Sequence, residues 1–184
     1  MVKVEFECRK CKKIASLEQY KNRRFCLKCG TLLNIRLLPK HWLFQFNPSM
    51  YKWFERIKES RAPEQWLVCQ YSKLIRKNDL VAIWSSGQKA GVYALGQIMT
   101  NPAKSPLNPD QKNFFVNING ISKFQEKFSA YVEYSEVFLE KPLLQEKCRQ
   151  DKVLLDMQVF MTPRGTNFRL TSEQWNRIEE LMIK

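Results

Sequence analysis

Cys8 and Cys11, then Cys26 and Cys29, form two C-x2-C pairs separated by fourteen residues, and Gly30 follows the last of them. Each C-x2-C turn aims two thiolates at one point, and two such turns facing each other complete a tetrahedron, the geometry of a closed zinc site. The separation of the pairs is just below the usual range for this pattern, a difference that a connecting hairpin absorbs. Gly30 suits a turn at positive φ. Arg9, Lys10, Lys12, Lys13, Arg23, Arg24 and Lys28 surround the pairs and would offset the negative charge of four thiolates on one zinc ion. Four cysteines leave no open coordination position, so the expected role of the zinc is structural. It replaces the apolar core that a module of about forty residues cannot build.

Two disulfides are the other use of these residues, and a reducing compartment disfavours them. A redox dithiol sits at the start of a helix after a strand, and two such motifs close together read better as one metal site. Met1–Glu7 lacks the apolar stretch of a secretory leader, and no run of eighteen apolar residues marks a membrane span. The expectation is therefore a cytoplasmic protein with no membrane partner. Cys69 and Cys148 stand apart from the cluster; Cys69 falls in the apolar run 66–69 and is expected to be buried.

Charge points to a partner. The chain of 184 residues carries 31 Lys+Arg against 18 Asp+Glu, a formal +13. The first 40 residues hold 11 basic and 3 acidic residues, the remainder 20 and 15, so the cysteine-bearing end is the more strongly basic. A chain of this kind suits polyanions, chiefly nucleic acid. Apolar residues at 44% allow a buried core in the rest of the chain.

Residues 1–39 are expected to form a zinc ribbon, with Ile35–Leu38 its apolar end and Pro39-Lys40 the boundary. His41–Phe46 reads as a buried strand. Asn47-Pro48 reads as an N-cap and first helical position for a helix over 49–60. Further strands are expected at 66–69, 79–84, 91–99, 128–139 and 158–161, with loops at 101–112 and 162–169. A short helix is expected at 142–149. Thr171 and Gln174 form a capping box that opens a final helix carrying Trp175, Ile178, Leu181 and Met182 on one face. The fold class is α+β, with a small curved or barrel-like mixed sheet flanked by short helices.

The block from Trp66 to Pro102 carries a resemblance. Trp66-x-Val68-x-Gln70, then Asp79-x-Val81-x-Ile83-Trp84-Ser85-Ser86-Gly87, then Ala90-Gly91-Val92-Tyr93-Ala94-Leu95-Gly96-x-Ile98, resembles the EVE domain, a PUA-like fold related to the YTH readers of methylated RNA. His41-Trp42-Leu43 with Asn47-Pro48, and Gly165-Thr166-Asn167-Phe168 with Leu170-Thr171, are similar to its first and closing segments. Asn78 departs from the glycine usual before Asp79. The resemblance implies an EVE domain over 41–184 that holds a flipped-out modified base between aromatic walls. It implies Trp66 as one wall, Trp84 and Ser85 as a second wall and polar contact, and Asn47 on the base edge.

Each of these residues has a plainer use. Trp42, in a continuous apolar strand, fits core packing as well as a pocket wall. Trp53 and Trp175, on apolar helix faces, fit the core. Asn47 could serve only as a cap. Arg164, Arg169, Lys89 and Lys73, on or near expected loops, are candidates for phosphate contacts or solvated charges. Aromatic walls stack on a base face and polar groups read its edge. The chain offers no Walker loop, nucleophile elbow or metal-binding histidine pair, and its one histidine, His41, lacks a catalytic setting. The expected function is a non-catalytic reader, with DNA favoured over RNA by analogy and the ribbon adding affinity or a protein contact. A small magnesium nuclease, for which Asp110 is the nearest carboxylate candidate, and an RNA-binding adaptor are the alternatives.

Overall fold

The computed structural model describes residues 5–8, 10–16, 25–31 and 39–183. The chain divides into two compact units, Met1–Pro39 and Lys40–Lys184. Arg9, Arg23, Arg24 and Ile35–Leu38 lie outside the described residues. In the first unit, β1 (Glu5–Glu7) pairs antiparallel with β2 (Ile14–Ser16), and Glu7 faces Ile14 across the turn that carries Cys8 and Cys11.

The second unit is built on β3 (His41–Phe46), β4 (Glu64–Val68), β5 (Leu80–Ser85), β6 (Gly91–Ile98), β7 (Phe128–Val137), β8 (Leu143–Leu144) and β9 (Asn167–Leu170). Six of these run in the order β4-β7-β6-β5-β3-β9, and β8 pairs with β6. Only β3 and β5 run parallel; the other pairs are antiparallel. Register shifts at Ile83/Trp84 and Leu95/Gly96 add twist and curl the sheet into a half-barrel.

The two edges of the curl are joined by side chains. Asn167 on β9 is 1% exposed. Its Oδ1 accepts from the Cys69 N–H (2.8 Å) and the Gln70 N–H (3.2 Å), and its Nδ2 donates to the Leu67 carbonyl (2.9 Å). Gln70 replies: its Oε1 accepts from the Thr166 and Asn167 N–H groups at 3.1 and 3.0 Å. The far ends of the strand order thus meet through two amides in place of a ladder.

Both faces of the sheet are covered, so Trp42–Phe44 of β3 and Leu80–Trp84 of β5 are continuous apolar runs. Period two sorts their side chains. Trp42, Phe44, Phe46, Val81 and Ile83 enter one core with Trp53, Trp66 and Val68. Leu43, Ala82 and Trp84 enter the other with Phe168, Trp175 and Ile178. Asn78 has φ +72, which explains the residue in the glycine position: asparagine tolerates this backbone better than most. Asp79 behind it accepts from Trp42 Nε1 (2.8 Å), the Arg76 N–H (2.9 Å) and the Lys40 N–H (3.0 Å), fixing the start of the unit.

Several local expectations change, among them the burial of Cys69. The first helix, α1 (Trp53–Glu59), begins later than the Asn47-Pro48 pair implies. Residues 50–52 pair with a strip downstream instead: the Lys52 N–H donates to Phe114 O (2.8 Å) and the Val116 N–H to Met50 O (3.0 Å). Asn47 caps a turn, its Oδ1 accepting from the Ser49 N–H (2.9 Å). The proline-rich loop contains α2 (Pro109–Lys112), and an unforeseen α3 (Ile118–Glu126) follows it. Residues 158–161 form the helix α5 (Gln158–Met161) rather than a strand, and β9 occupies the end of the expected loop. A helix α4 (Gln145–Gln150) and the final α6 (Ser172–Ile183) lie close to expectation. Both capping-box bonds form at 3.0 Å, from the Gln174 N–H to Thr171 Oγ1 and from the Thr171 N–H to Gln174 Oε1. Cys69 is exposed just beyond β4, whereas Cys148 is fully buried.

Candidate functional site

The first unit holds a sulfur cluster. Cys8 and Cys29 Sγ atoms lie 3.6 Å apart, as do those of Cys11 and Cys26, and all four fall within 4.8 Å of one another. A tetrahedron with metal–sulfur bonds of about 2.3 Å places its sulfurs about 3.8 Å apart, so the set is compatible with a zinc ion. The two knuckles repeat one backbone design. Lys12 N–H donates to Cys8 O (2.9 Å) and Gly30 N–H to Cys26 O (2.8 Å). Cys8 N–H donates to Lys13 O (3.0 Å) and Cys26 N–H to Thr31 O (2.8 Å). Lys12 and Gly30 occupy the same place in each, at φ +57 and +67.

The thiols do not ionise alike. The backbone N–H groups of Cys29 and then Lys28 push Cys26 down to about 6. The Lys13 N–H lowers Cys11 as well, but burial and the three neighbouring sulfurs outweigh it and push Cys11 up to about 11. Four thiolates in one place need a cation to hold their charge.

The second unit holds a cleft of about 410 Å³. Its walls come from the end of β3 (Gln45, Phe46, Asn47), the following turn (Met50, Tyr51), β4 (Gln65, Trp66, Leu67), the α3 region (Phe115, Gly120, Lys123, Phe124) and the loop before β9 (Pro163–Thr166). Lys123 and Arg164 are among the lining residues, and no Asp or Glu is. Tyr51 packs on Phe115 with ring centres 4.6 Å apart, and Phe46 meets Trp66 edge-on at 6.2 Å. Two glycines let the walls close. A Cβ at Gly120 would come within 2.6 Å of the Phe115 ring, and one at Gly165 within 2.6 Å of the Phe168 ring.

Hydrogen bonds orient the polar groups. Gln45 Nε2 donates to the carbonyls of Pro163 (2.8 Å) and Gly165 (3.0 Å), which anchors the loop bearing Arg164. Behind the walls sits Glu64, 1% exposed. Its carboxylate accepts from the Tyr51 and Tyr134 hydroxyls and from Trp53 Nε1 (3.1 Å). Trp66 Nε1 donates in turn to Tyr134 Oη (2.8 Å). One buried acid therefore links two walls of the cleft, Tyr51 directly and Trp66 through Tyr134. Burial pushes Glu64 up, against the bonds from Tyr134 and Tyr51 that lower it, and burial with the neighbouring Glu64 pushes both tyrosines up.

Of the residues named from sequence, Trp66, Asn47 and Arg164 meet at this cleft. The others stand elsewhere. Trp42 is fully buried and bonded to Asp79. Trp84 is 1% exposed in the core on the opposite face from Trp66, edge-on to Phe160 at 5.7 Å. Ser85 is buried, and its neighbour Ser86 lines the cleft instead. Alternation along β5 explains the pair: Val81 and Ile83 share the core of Trp66, so Trp84 turns away. Lys73, Lys89 and Arg169 are exposed but do not line the cleft. His41 stacks on Trp175 at 5.2 Å. Asp110 is exposed on α2. Among the described residues, the four cysteines are the one group of three or more His, Cys, Asp or Glu placed to hold a metal. Tyr51 and Phe115 escaped sequence reading because they come from a turn and a short bridge outside regular elements, whereas Lys123 and Phe124 lie on a helix that the Asn117 cap and the spacing of Ile118, Ile121 and Phe124 could have revealed.

Solved structures share the fold of the second unit. The human THYN1 protein, in complex with 5-methylcytosine-containing DNA, superposes with a TM-score of 0.57 at 12% identity, over 79% of this chain and 98% of that one. A protein from Leishmania major gives 0.59 at 14% identity, over 79% and 96%. A ZmASCH mutant protein from Zymomonas mobilis gives 0.51 at 11% identity, over 77% and 98%. No curated protein matches the sequence. The EVE-domain model matches residues 40–181, the greater part of the chain and nearly all of its second unit, and the protein belongs to the EVE-domain family.

Proposed function

We propose that the protein is a non-catalytic reader of nucleic acid carrying a modified base, held flipped out in the cleft beside Trp66. The observation that carries the reading is the cleft itself: aromatic side chains, two cations and no acid around about 410 Å³. That volume lies within the range of small-ligand pockets, about 300–1,000 Å³. A flipped base presents a π-face to Trp66, Tyr51 or Phe115 and a polar edge to Asn47 and Gln45. A methyl group adds about 0.8 kcal/mol of apolar burial per carbon. Lys123 and Arg164 stand where flanking phosphates would pass. The THYN1 neighbour, solved with 5-methylcytosine-containing DNA, supports nucleic acid as the partner, and DNA rather than RNA is our proposal for the polymer.

Cys8, Cys11, Cys26 and Cys29 would hold one structural zinc ion, which fixes the two knuckles and gathers Lys10, Lys12, Lys13 and Lys28 around them. Such a basic ribbon adds backbone affinity or docks a partner protein. Binding of duplexes carrying cytosine, 5-methylcytosine, 5-hydroxymethylcytosine or N6-methyladenine, at one salt concentration, tests the reading. A preference for one modified duplex is expected. Equal affinity for all would reduce the protein to a basic nucleic-acid binder.

A further inference from the structure

Two polar side chains behind the cleft are directed at its walls. Glu64 and Trp66 stand two positions apart on β4, and Tyr134 stands two positions beyond Val132, the partner of Glu64 on β7. Period two puts all three side chains on one face of the sheet. Tyr51 reaches the same point from the turn after β3. Trp66 and Tyr51 line the cleft, whereas Glu64 and Tyr134 do not.

The donors and acceptors at this point match in one arrangement. Tyr134 Oη accepts from Trp66 Nε1 (2.8 Å) and Trp53 Nε1 (3.0 Å), and an indole N–H can only donate. The Tyr134 proton is left for Glu64 Oε2. Tyr51 Oη accepts from Gln111 Nε2 (3.2 Å), so its own proton goes to Glu64 Oε1. The Gln111 amide is itself fixed: its Oε1 accepts from the Gln65 N–H (2.7 Å), and its Nε2 donates to the Gln65 carbonyl (3.1 Å). A carboxylate accepts at both oxygens, whereas glutamine, its isostere, accepts at one.

The consequence lies in the cleft. The indole N–H of Trp66 and the hydroxyl of Tyr51 are the polar atoms of two aromatic walls, and both are bonded to groups behind them. The walls then offer a base their carbon surface, held by bonds that the base does not touch. A freed N–H or hydroxyl would hold water at the wall, and an added methyl group would displace that water without replacing its hydrogen bond. We infer that Glu64 and Tyr134 are positioning residues that set the preference of the cleft for a modified base, Tyr134 through Trp66 and Glu64 through both walls. This rests on the reader function proposed above and assigns its selectivity to two residues outside the cleft.

The test uses the whole chain, with Tyr134→Phe made alone and in a Trp66→Phe background, and Glu64→Gln made alone. Dissociation constants are measured at one salt concentration for duplexes carrying cytosine or 5-methylcytosine, and adenine or N6-methyladenine. For the pair that the wild type distinguishes, Tyr134→Phe should lower the ratio of the two constants about fivefold, the low end of the effect of an orphaned buried donor. Binding of the unmodified duplex should change by no more than about twofold, since phosphate contacts carry it. Glu64→Gln should lower the ratio in the same direction. With Trp66→Phe there is no indole N–H to orphan, so Tyr134→Phe should then change the ratio by less than about twofold. The indole proton resonance of Trp66, identified by its loss in Trp66→Phe, should move upfield and exchange faster with water in Tyr134→Phe. That of Trp42, bonded to Asp79 at 2.8 Å, should stay in place. A ratio left intact by Tyr134→Phe, even with stability lowered, or lowered equally in the Trp66→Phe background, would overturn the inference and leave the reader function standing. Ratios near one for both pairs in the wild type would instead overturn the reader function, and the inference with it.

Discussion

Asn167→Ala removes the amide that joins the two edges of the sheet. Its consequences can be counted from three bonds. The Cys69 and Gln70 N–H groups lose their shared acceptor, and the Leu67 carbonyl loses a donor. A buried polar group left without a partner costs about 1–3 kcal/mol. Cys69 and Gln70 are exposed as residues, so water can reach their N–H groups in part. That places the sum near the lower end, about 3 kcal/mol, or a Tm lower by about 6–12 °C for a unit of this size. All five tryptophans lie beyond residue 40, so their fluorescence during urea or thermal unfolding reports the second unit. Gln70→Ala removes the reciprocal acceptor for Thr166 and Asn167. Because both amides serve one seam, the double variant should lose less than the sum of the singles, by about 0.5 kcal/mol or more. A loss below about 0.5 kcal/mol for Asn167→Ala, or strict additivity, would refute the idea that these amides close the curl.

Other outcomes are expected. Glu64 is raised above its ordinary value near 4.5, so the folded chain holds that proton more tightly than the unfolded one. Its contribution to stability is full below the unfolded value and is lost as pH rises through the folded one. Glu64→Gln should flatten that fall, as read from urea midpoints across a pH series from about 4 to 8, and an unchanged slope would place its source elsewhere. Purified protein should contain about one zinc per chain by elemental analysis, and Cys26→Ser should release it; retention of full zinc by that variant would contradict the site. Arg164→Ala should weaken all duplexes alike and reduce the salt dependence by about one phosphate contact, a change in log–log slope of about 0.9 in binding titrations at several salt concentrations.

Spacing carried information where one residue type had one use. The two C-x2-C pairs require no knowledge of the rest of the chain, and the four sulfurs do converge. The run His41–Phe46 and the pair of strands around Gly87 were legible because burial on both faces makes them largely apolar, with polar residues only where a strand meets the surface or the cleft. The cleft was legible only at Trp66, Asn47 and Arg164. Trp84 misleads because a tryptophan next to a turn looks the same whichever face it takes, and strand parity sends it to the opposite core. The first helix misleads because a cap signal at Asn47 yields to pairing with residues more than sixty positions later. Glu64 gave no signal at all: an acid in sequence reads as surface, and only the fold brings Tyr51, Trp53 and Tyr134 to it.

The central claim is that the cleft beside Trp66 recognises the modified base while basic residues supply general affinity. The direct measurement is the ratio of dissociation constants for unmodified and 5-methylcytosine duplexes at one salt concentration, for the wild type, Trp66→Phe and Trp66→Ala. Trp66 donates to Tyr134 and is largely buried, so the phenylalanine variant guards against a trivial loss of fold. The account predicts a ratio well above one in the wild type, reduced in Trp66→Phe and abolished in Trp66→Ala, with binding of the unmodified duplex kept to within about threefold, since phosphate contacts carry it. A ratio that survives Trp66→Ala intact would contradict it.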